Sequence, residues 1–256
     1  MFTGQQRDEL CERVLRLGEE HAGVVAGAVV GSLAGGEADE FSDLDLTFAV
    51  ADEIPVGDVL GDWTRTLTNE LAAVRLVDLV RGPTVYRVFL LPDALQLDLS
   101  MTPAAQFRPT GPRFRLVFGE VALGGPDVDR PAGSLFIDTP AVPLDMYGWG
   151  VIYALHARAC IERRRLWQAE HYVGAVRDHA LSMACVRLGL TAVQARGYDD
   201  LPDDVRRRFG LTLVGALEPR PLRAALAAAV AALLFEGMEA GLPHAGVVAG
   251  RLLDQF

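Results

Sequence analysis

The connection between two apolar strands constrains this chain more than any other stretch of its 256 residues. Residues 23–30 form an apolar run rich in small and β-branched residues, which predicts a buried strand. Residues 44–50 predict a second strand. The connection opens with Gly31 and Ser32 and continues through small residues, so the sequence indicates a turn and a loop between two strands of one sheet.

Two aspartates stand where the second strand begins. Asp43 and Asp45 are two residues apart, and side chains at this spacing on a strand point to the same face. Their carboxylates repel each other unless a cation lies between them. Paired carboxylates suit Mg²⁺, which also accepts phosphate oxygens as ligands. Gly31 lets a phosphate approach the backbone closely, and Ser32 adds a hydroxyl, so the stretch predicts a site for a metal and a phosphate.

A third carboxylate comes from a later strand. Residues 94–101 alternate between apolar and polar, which places Gln96, Asp98 and Ser100 on one face. Asp98 meets Asp43 and Asp45 if its strand lies beside theirs. Three carboxylates on adjacent strands can hold two metal ions for an in-line displacement at phosphorus. The alternative is a capped turn with solvated acids and a lone acid on a wet sheet face.

The motif resembles a known superfamily. Gly31-Ser32, then Ser-Asp-Leu-Asp-Leu at 42–46, then Asp98 resemble the nucleotidyltransferases that include DNA polymerase β and the bacterial aminoglycoside- and lincosamide-type antibiotic nucleotidyltransferases. The resemblance covers about the first half of the chain. It implies that two Mg²⁺ ions and an NTP bind here, with Asp98 as the third ligand or the base. The implied nucleotide-binding residues are Gly31, Ser32, Ser42, Asp43 and Asp45, and the implied metal ligands are Asp43, Asp45 and Asp98.

The remaining periodicity predicts an α/β (α+β) fold. Helices at 5–21 and 56–74 and strands at 75–80, 84–91 and 94–101 give a small mixed sheet with flanking helices. Residues 113–118 are one more strand or an irregular arm. Glycine and proline cluster near 124–143, which predicts a nucleotidyltransferase domain at 1–125, a linker at 126–139 and an all-α C-terminal domain at 140–256. The helices predicted there are 144–165, 166–190, 203–209 and 221–240.

A polar stripe on one predicted helix is the second candidate site. Glu170, His171, Gly174, Arg177 and Asp178 fall on one face of a helix whose other faces are apolar. The stripe is either a solvated face or an acceptor site that faces the carboxylates across a cleft between domains. Segments 167–170 and 177–179 look similar to the helical segments of antibiotic nucleotidyltransferases. That resemblance implies that Glu170 contacts the acceptor or serves as the alternative base, and that Arg177 or Asp178 orients it or touches the substrate.

Charge and composition narrow the partners. The net charge of −10 argues against a broad contact with a nucleic-acid backbone. All 24 basic residues are arginines, so any protein cation on a triphosphate is an arginine. Three cysteines without a C-x-x-C motif predict a reducing compartment. We find no signal peptide and no apolar stretch long enough to span a membrane, which predicts a cytoplasmic protein, monomeric or homodimeric.

The sequence therefore predicts an enzyme. It moves a nucleoside monophosphate, AMP being the expected one, from an NTP such as ATP to a hydroxyl of a small acceptor and releases pyrophosphate. The resemblance makes aminoglycoside- or lincosamide-like antibiotics plausible acceptors, and an unrelated metabolite is equally consistent. The alternatives are an antitoxin-type nucleotidyltransferase that acts on a protein partner, and a non-catalytic nucleotide-binding regulatory module.

Overall fold

The computed structural model describes residues 2–109, 113–122 and 142–256. The chain divides into two compact units, Met1–Phe136 and Ile137–Phe256. The predicted linker at 126–139, together with the predicted domain boundaries at 125 and 140, lies outside the described residues.

The first unit is a mixed six-stranded sheet with helices packed on it. Its elements are α1 Gly4–Glu20, β1 Val24–Val30, α2 Gly31–Ala34, β2 Leu44–Val50, α3 Val56–Leu71, β3 Val74–Arg81, β4 Thr84–Leu90, β5 Gln96–Pro103 and β6 Phe114–Phe118. The strand order is β3-β4-β5-β2-β1-β6, in which β2 and β5 are parallel and the other neighbours are antiparallel. This architecture confirms the predicted fold class.

The structure also settles two boundaries that the sequence left open or misplaced. Residues 114–118 form an edge strand, β6, which pairs with β1. Of the two alternatives predicted for this segment, the strand is therefore correct and the irregular arm is wrong. The helix predicted through Val74 ends at Leu71 instead. Ala72 adopts the left-handed conformation, which stops the helix, and Val74 opens β3.

Alternation along β2 and β5 separates the core from the site. Leu44, Leu46 and Phe48 of β2 are buried in one cluster with the apolar faces of α1 and α3, and Leu97 and Leu99 of β5 join them. Successive strand residues point to opposite faces, so the residues between these apolar ones lie on the face away from that core. The hydrophobic pattern therefore fixes which face of the sheet carries the aspartates.

The second unit is built of helices joined by turns and loops in its described residues, which confirms the predicted helical C-terminal part. The helices are α4 Pro143–Glu162, α5 Leu166–Arg187, α6 Asp203–Gly210, α7 Pro219–Glu239 and α8 Ala245–Leu252. The close packing between α4 and α7 depends on glycines: a Cβ on Gly150 would lie 2.7 Å from Leu233, and one on Gly237 would lie 2.3 Å from Tyr147.

Helix α7 bears on the prediction that no apolar stretch is long enough to span a membrane. Among the helices of the described ranges, α7 alone is long and apolar enough to cross a bilayer by length and composition. It reaches that length only with Arg223 and Glu236 included, because the uncharged run between them covers residues 224–235 alone, as the sequence predicts. Half of the membrane-length stretch is buried inside the protein, and the core helix of a soluble protein passes the same test.

A buried ion pair joins α5 to α7. Arg187 Nε donates to Oε2 of Glu236 at 2.7 Å, and Nη2 donates to Oε1 at 2.9 Å. The Glu236 side chain is only 2% exposed, so water does not compensate its charge. This bidentate ion pair with Arg187 stabilises the buried Glu236 carboxylate inside the helical unit.

We expect Arg187→Ala to lower the free energy of unfolding by about 3–5 kcal/mol, because it leaves the Glu236 charge buried without its partner. The matched control is Arg223→Ala, which removes the partner of Glu162 from a pair open to solvent. Solvent screens that pair, so its loss should cost at most about 1 kcal/mol. Urea denaturation measures both variants, and equal losses would contradict the importance assigned to the buried pair.

Candidate metal centre

Three carboxylates from two neighbouring strands and the residue before one of them meet on the face of the sheet opposite the core formed with α1 and α3. Asp45 of β2 and Asp98 of β5 are direct partners in the parallel register. Asp43 precedes Asp45 by two residues and shares its face. Each residue offers a carboxylate oxygen, and these oxygens lie within 4.8 Å of one another. The structure therefore brings together the three predicted metal ligands.

Burial and mutual repulsion make this cluster costly without a cation. Burial raises the pKa of Asp45, and the neighbouring charges of Asp43 and Asp98 raise it further. Burial also raises the pKa of Asp98, and Asp43 adds to the effect. Gln96 opposes it by donating a hydrogen bond from Nε2 to Asp98 Oδ1 at 2.9 Å. A divalent cation would remove the repulsion, and hard oxygen donors are the ligands that Mg²⁺ prefers.

Gly31 lies against this cluster at the end of β1. Its φ is +68°, and a Cβ at this position would lie only 2.1 Å from Oδ2 of Asp45. The connection between β1 and β2 therefore begins in contact with the Asp45 carboxylate, and the absence of a side chain is what allows this approach.

The two predicted serines have different environments. The Ser32 hydroxyl oxygen is buried and finds no hydrogen-bond partner among the described residues, an arrangement that costs free energy unless a ligand satisfies it. The Ser42 hydroxyl is engaged: it accepts from the Asp39 N–H at 3.0 Å and donates to Asp39 Oδ1 at 2.9 Å. Ser42 thus closes the turn that delivers Asp43, and its contact with a nucleotide stays a prediction.

Two supporting residues were not identified from the sequence. Alternation places Gln96 on the same face as Asp98, and the i, i+2 spacing is the signal in the sequence for the hydrogen bond between them. Arg7 of α1 is buried and donates from Nη1 to the Asp39 carbonyl at 2.6 Å. That contact joins residues 32 positions apart, and nothing in the local sequence pattern marks it.

The predicted acceptor residues belong to the second unit. Glu170, Arg177 and Asp178 lie on α5. Arg177 Nε is 3.7 Å from Asp178 Oδ1, and Arg177 Nη1 donates to the Thr212 carbonyl at 3.5 Å. Glu170 and Arg177 are partly buried, and Asp178 is exposed. Their role in binding an acceptor stays a prediction.

Comparison with known proteins adds little to this description. No protein-family model matches the sequence, and a search of curated proteins finds no similar sequence. Among solved structures, the chain aligns with the crystal structure of an aminoglycoside 6-adenyltransferase from Bacillus subtilis over 97% of each chain, at 11% identity and a TM-score of 0.37. At this TM-score, the activity of that protein carries no weight for this chain.

Gly31→Ala and Gly36→Ala are a matched pair that tests the contact with Asp45. Both backbones have positive φ, +68° and +70°, so each substitution should cost about 1–2 kcal/mol of stability. A Cβ at Gly36 meets nothing within 4 Å, whereas one at Gly31 displaces the Asp45 carboxylate. We therefore expect Gly31→Ala alone to weaken Mn²⁺ binding, by about tenfold or more, in calorimetric titrations. Equal metal affinity in the two variants would contradict the placement of Gly31.

Proposed function

We propose that this chain is a Mg²⁺-dependent nucleotidyltransferase that moves a nucleoside monophosphate from an NTP to a hydroxyl of a small molecule and releases pyrophosphate. The expected donor is ATP, which makes the transferred group AMP. The observation that carries the proposal is the cluster of Asp43, Asp45 and Asp98 on one face of the mixed sheet, beside the turn at Gly31 and Ser32.

The residues of the cluster fit divalent cations. Asp43, Asp45 and Asp98 supply clustered oxygen donors whose repulsion a cation relieves. Two bound Mg²⁺ ions would neutralise charge on the triphosphate and on the phosphoryl group during transfer. Gly31 begins the loop beside the Asp45 carboxylate, and Ser32 offers a buried hydroxyl that has no hydrogen-bond partner among the described residues. Such a reaction asks the protein mainly for positioning and charge compensation, which is what these residues provide.

Asp98 is positioned in part by a neighbouring side chain. Gln96 donates a hydrogen bond from Nε2 to Asp98 Oδ1 at 2.9 Å. In this proposal the Asp98 carboxylate serves as the third ligand or accepts the proton of the attacking hydroxyl. Glu170 is the alternative base, with Arg177 and Asp178 as further acceptor contacts.

The acceptor is proposed to be a small molecule and not a nucleic acid. The support is the net charge of −10 and the complete absence of lysine, which disfavour a long phosphate backbone as a partner. An acidic protein favours a cationic acceptor. Aminoglycosides and lincosamides are therefore the first compounds to test, followed by unrelated hydroxylated metabolites.

Pyrophosphate release from ATP in the presence of an acceptor panel tests the function, with mass gain of the product as the second readout. We expect Asp43→Asn and Asp45→Asn to lower kcat by about a thousandfold or more, because each removes a ligand whose metal stabilises the transition state by several kcal/mol. Asp62→Asn, at an exposed position of α3, is the control and should keep full activity. Near-normal turnover by Asp45→Asn, or turnover independent of Mg²⁺, would refute the assignment.

A further inference from the structure

A charged pair spans the connection between β1 and β2. Arg113, immediately before β6, forms an ion pair between its Nη2 and Oε2 of Glu37. The Cγ and Cδ atoms of Arg113 lie 3.5 and 3.7 Å from the position that a Cβ of Gly35 would occupy. The side chain of Arg113 therefore lies across the loop that begins with the predicted phosphate-binding turn.

Backbone hydrogen bonds place this pair beside the candidate site. The N–H of Glu37 donates to the Ser32 carbonyl at 3.0 Å, and the N–H of Gly35 donates to the Gly31 carbonyl at 3.4 Å. Gly31 in turn lies against the Asp45 carboxylate. Glu37 is thus hydrogen-bonded to Ser32, which follows Gly31 in the chain, so the ion pair belongs to the loop that begins against the Asp45 carboxylate.

The negative charge of a triphosphate requires a positively charged side chain in addition to the two proposed Mg²⁺ ions. The carboxylates of Asp43, Asp45 and Asp98 cancel three of the four positive charges of two Mg²⁺ ions. About one positive charge then remains for a triphosphate with several negative charges. The chain has no lysine, so a further side chain with a permanent positive charge must be an arginine.

Arg113 is accessible for this role, whereas two other arginines of the first unit are not. Arg7 is buried against Asp39, and Arg87 is held by a two-pronged contact with Asp78. The side chains of Arg113 and Glu37 are 55% and 60% exposed. An ion pair this exposed contributes little stability, so a phosphate can replace the carboxylate at small cost.

We propose that Arg113 binds the triphosphate of the incoming nucleotide and that Glu37 holds the same guanidinium until the nucleotide displaces it. The inference rests on the proposed function. Glu37 acts as an internal competitor whose carboxylate occupies the position of a phosphate. A guanidinium binds a phosphate with two parallel hydrogen bonds, so the exchange replaces a screened surface pair by a stronger contact.

The competition predicts opposite effects for the two partners. Arg113→Gln should weaken binding of a non-hydrolysable ATP analogue with Mg²⁺ by about tenfold or more, because a charge-assisted contact is lost. Glu37→Gln should tighten binding by up to about fivefold, because the competitor is gone. In the double variant the gain from Glu37→Gln should vanish. Isothermal titration calorimetry measures all three, with Arg65→Gln from the exposed pair on α3 as the control that leaves affinity unchanged.

The outcomes separate this inference from the proposed function. The inference is wrong if Glu37→Gln weakens binding of the analogue. It is also wrong if Arg113→Gln leaves binding unchanged in a protein that urea denaturation shows to be folded. In either case the ion pair only stabilises the loop. If the wild type does not bind the analogue with Mg²⁺, or Asp45→Asn binds it equally well, the proposed function itself fails. Binding that is lost in Asp45→Asn but kept in Arg113→Gln overturns this inference alone.

Discussion

The candidate site depends on one constraint, the electrostatic repulsion among the carboxylates of Asp43, Asp45 and Asp98, which the sheet holds close together. The parallel register sets Asp45 opposite Asp98, and the same alternation buries Leu46 and Leu99 in the core on the other face. A slip of one residue would turn the aspartates into that core and expose the leucines. The hydrophobic core therefore fixes the carboxylates in a cluster that is unfavourable when they are ionised, and a bound divalent cation would relieve the repulsion.

The loop that connects β1 to β2 is anchored at both ends close to the carboxylates. It begins at Gly31 in contact with Asp45, and it ends at the turn where Ser42 bonds to Asp39 before Asp43. Arg7 of α1 fastens the same turn through the Asp39 carbonyl. Both ends of the loop are thus tied to the elements that carry the carboxylates, while the pair of Glu37 and Arg113 crosses its exposed middle. A loop fixed at its ends suits a site that must hold a phosphate close to a metal.

Local periodicity is enough to predict on which face of its strand each carboxylate lies, but it does not predict which strands pair with each other. The i, i+2 spacing of Asp43 and Asp45 and the alternation around Asp98 are properties of single strands. The parallel pairing of β2 with β5 is a long-range choice that no local pattern specifies, so the proximity of Asp98 was conditional in the sequence. The same reason hid the contact between Glu37 and Arg113, which are 76 positions apart.

The central claim is that buried carboxylates destabilise the unliganded site and that a divalent cation relieves them. The most direct test is the free energy of unfolding of wild type and Asp45→Asn, measured at mildly alkaline pH with EDTA and then with Mg²⁺. The account predicts that the variant is the more stable protein in EDTA and that Mg²⁺ stabilises only the wild type. A variant less stable than wild type in EDTA, with equal gains from Mg²⁺ in both proteins, would contradict it.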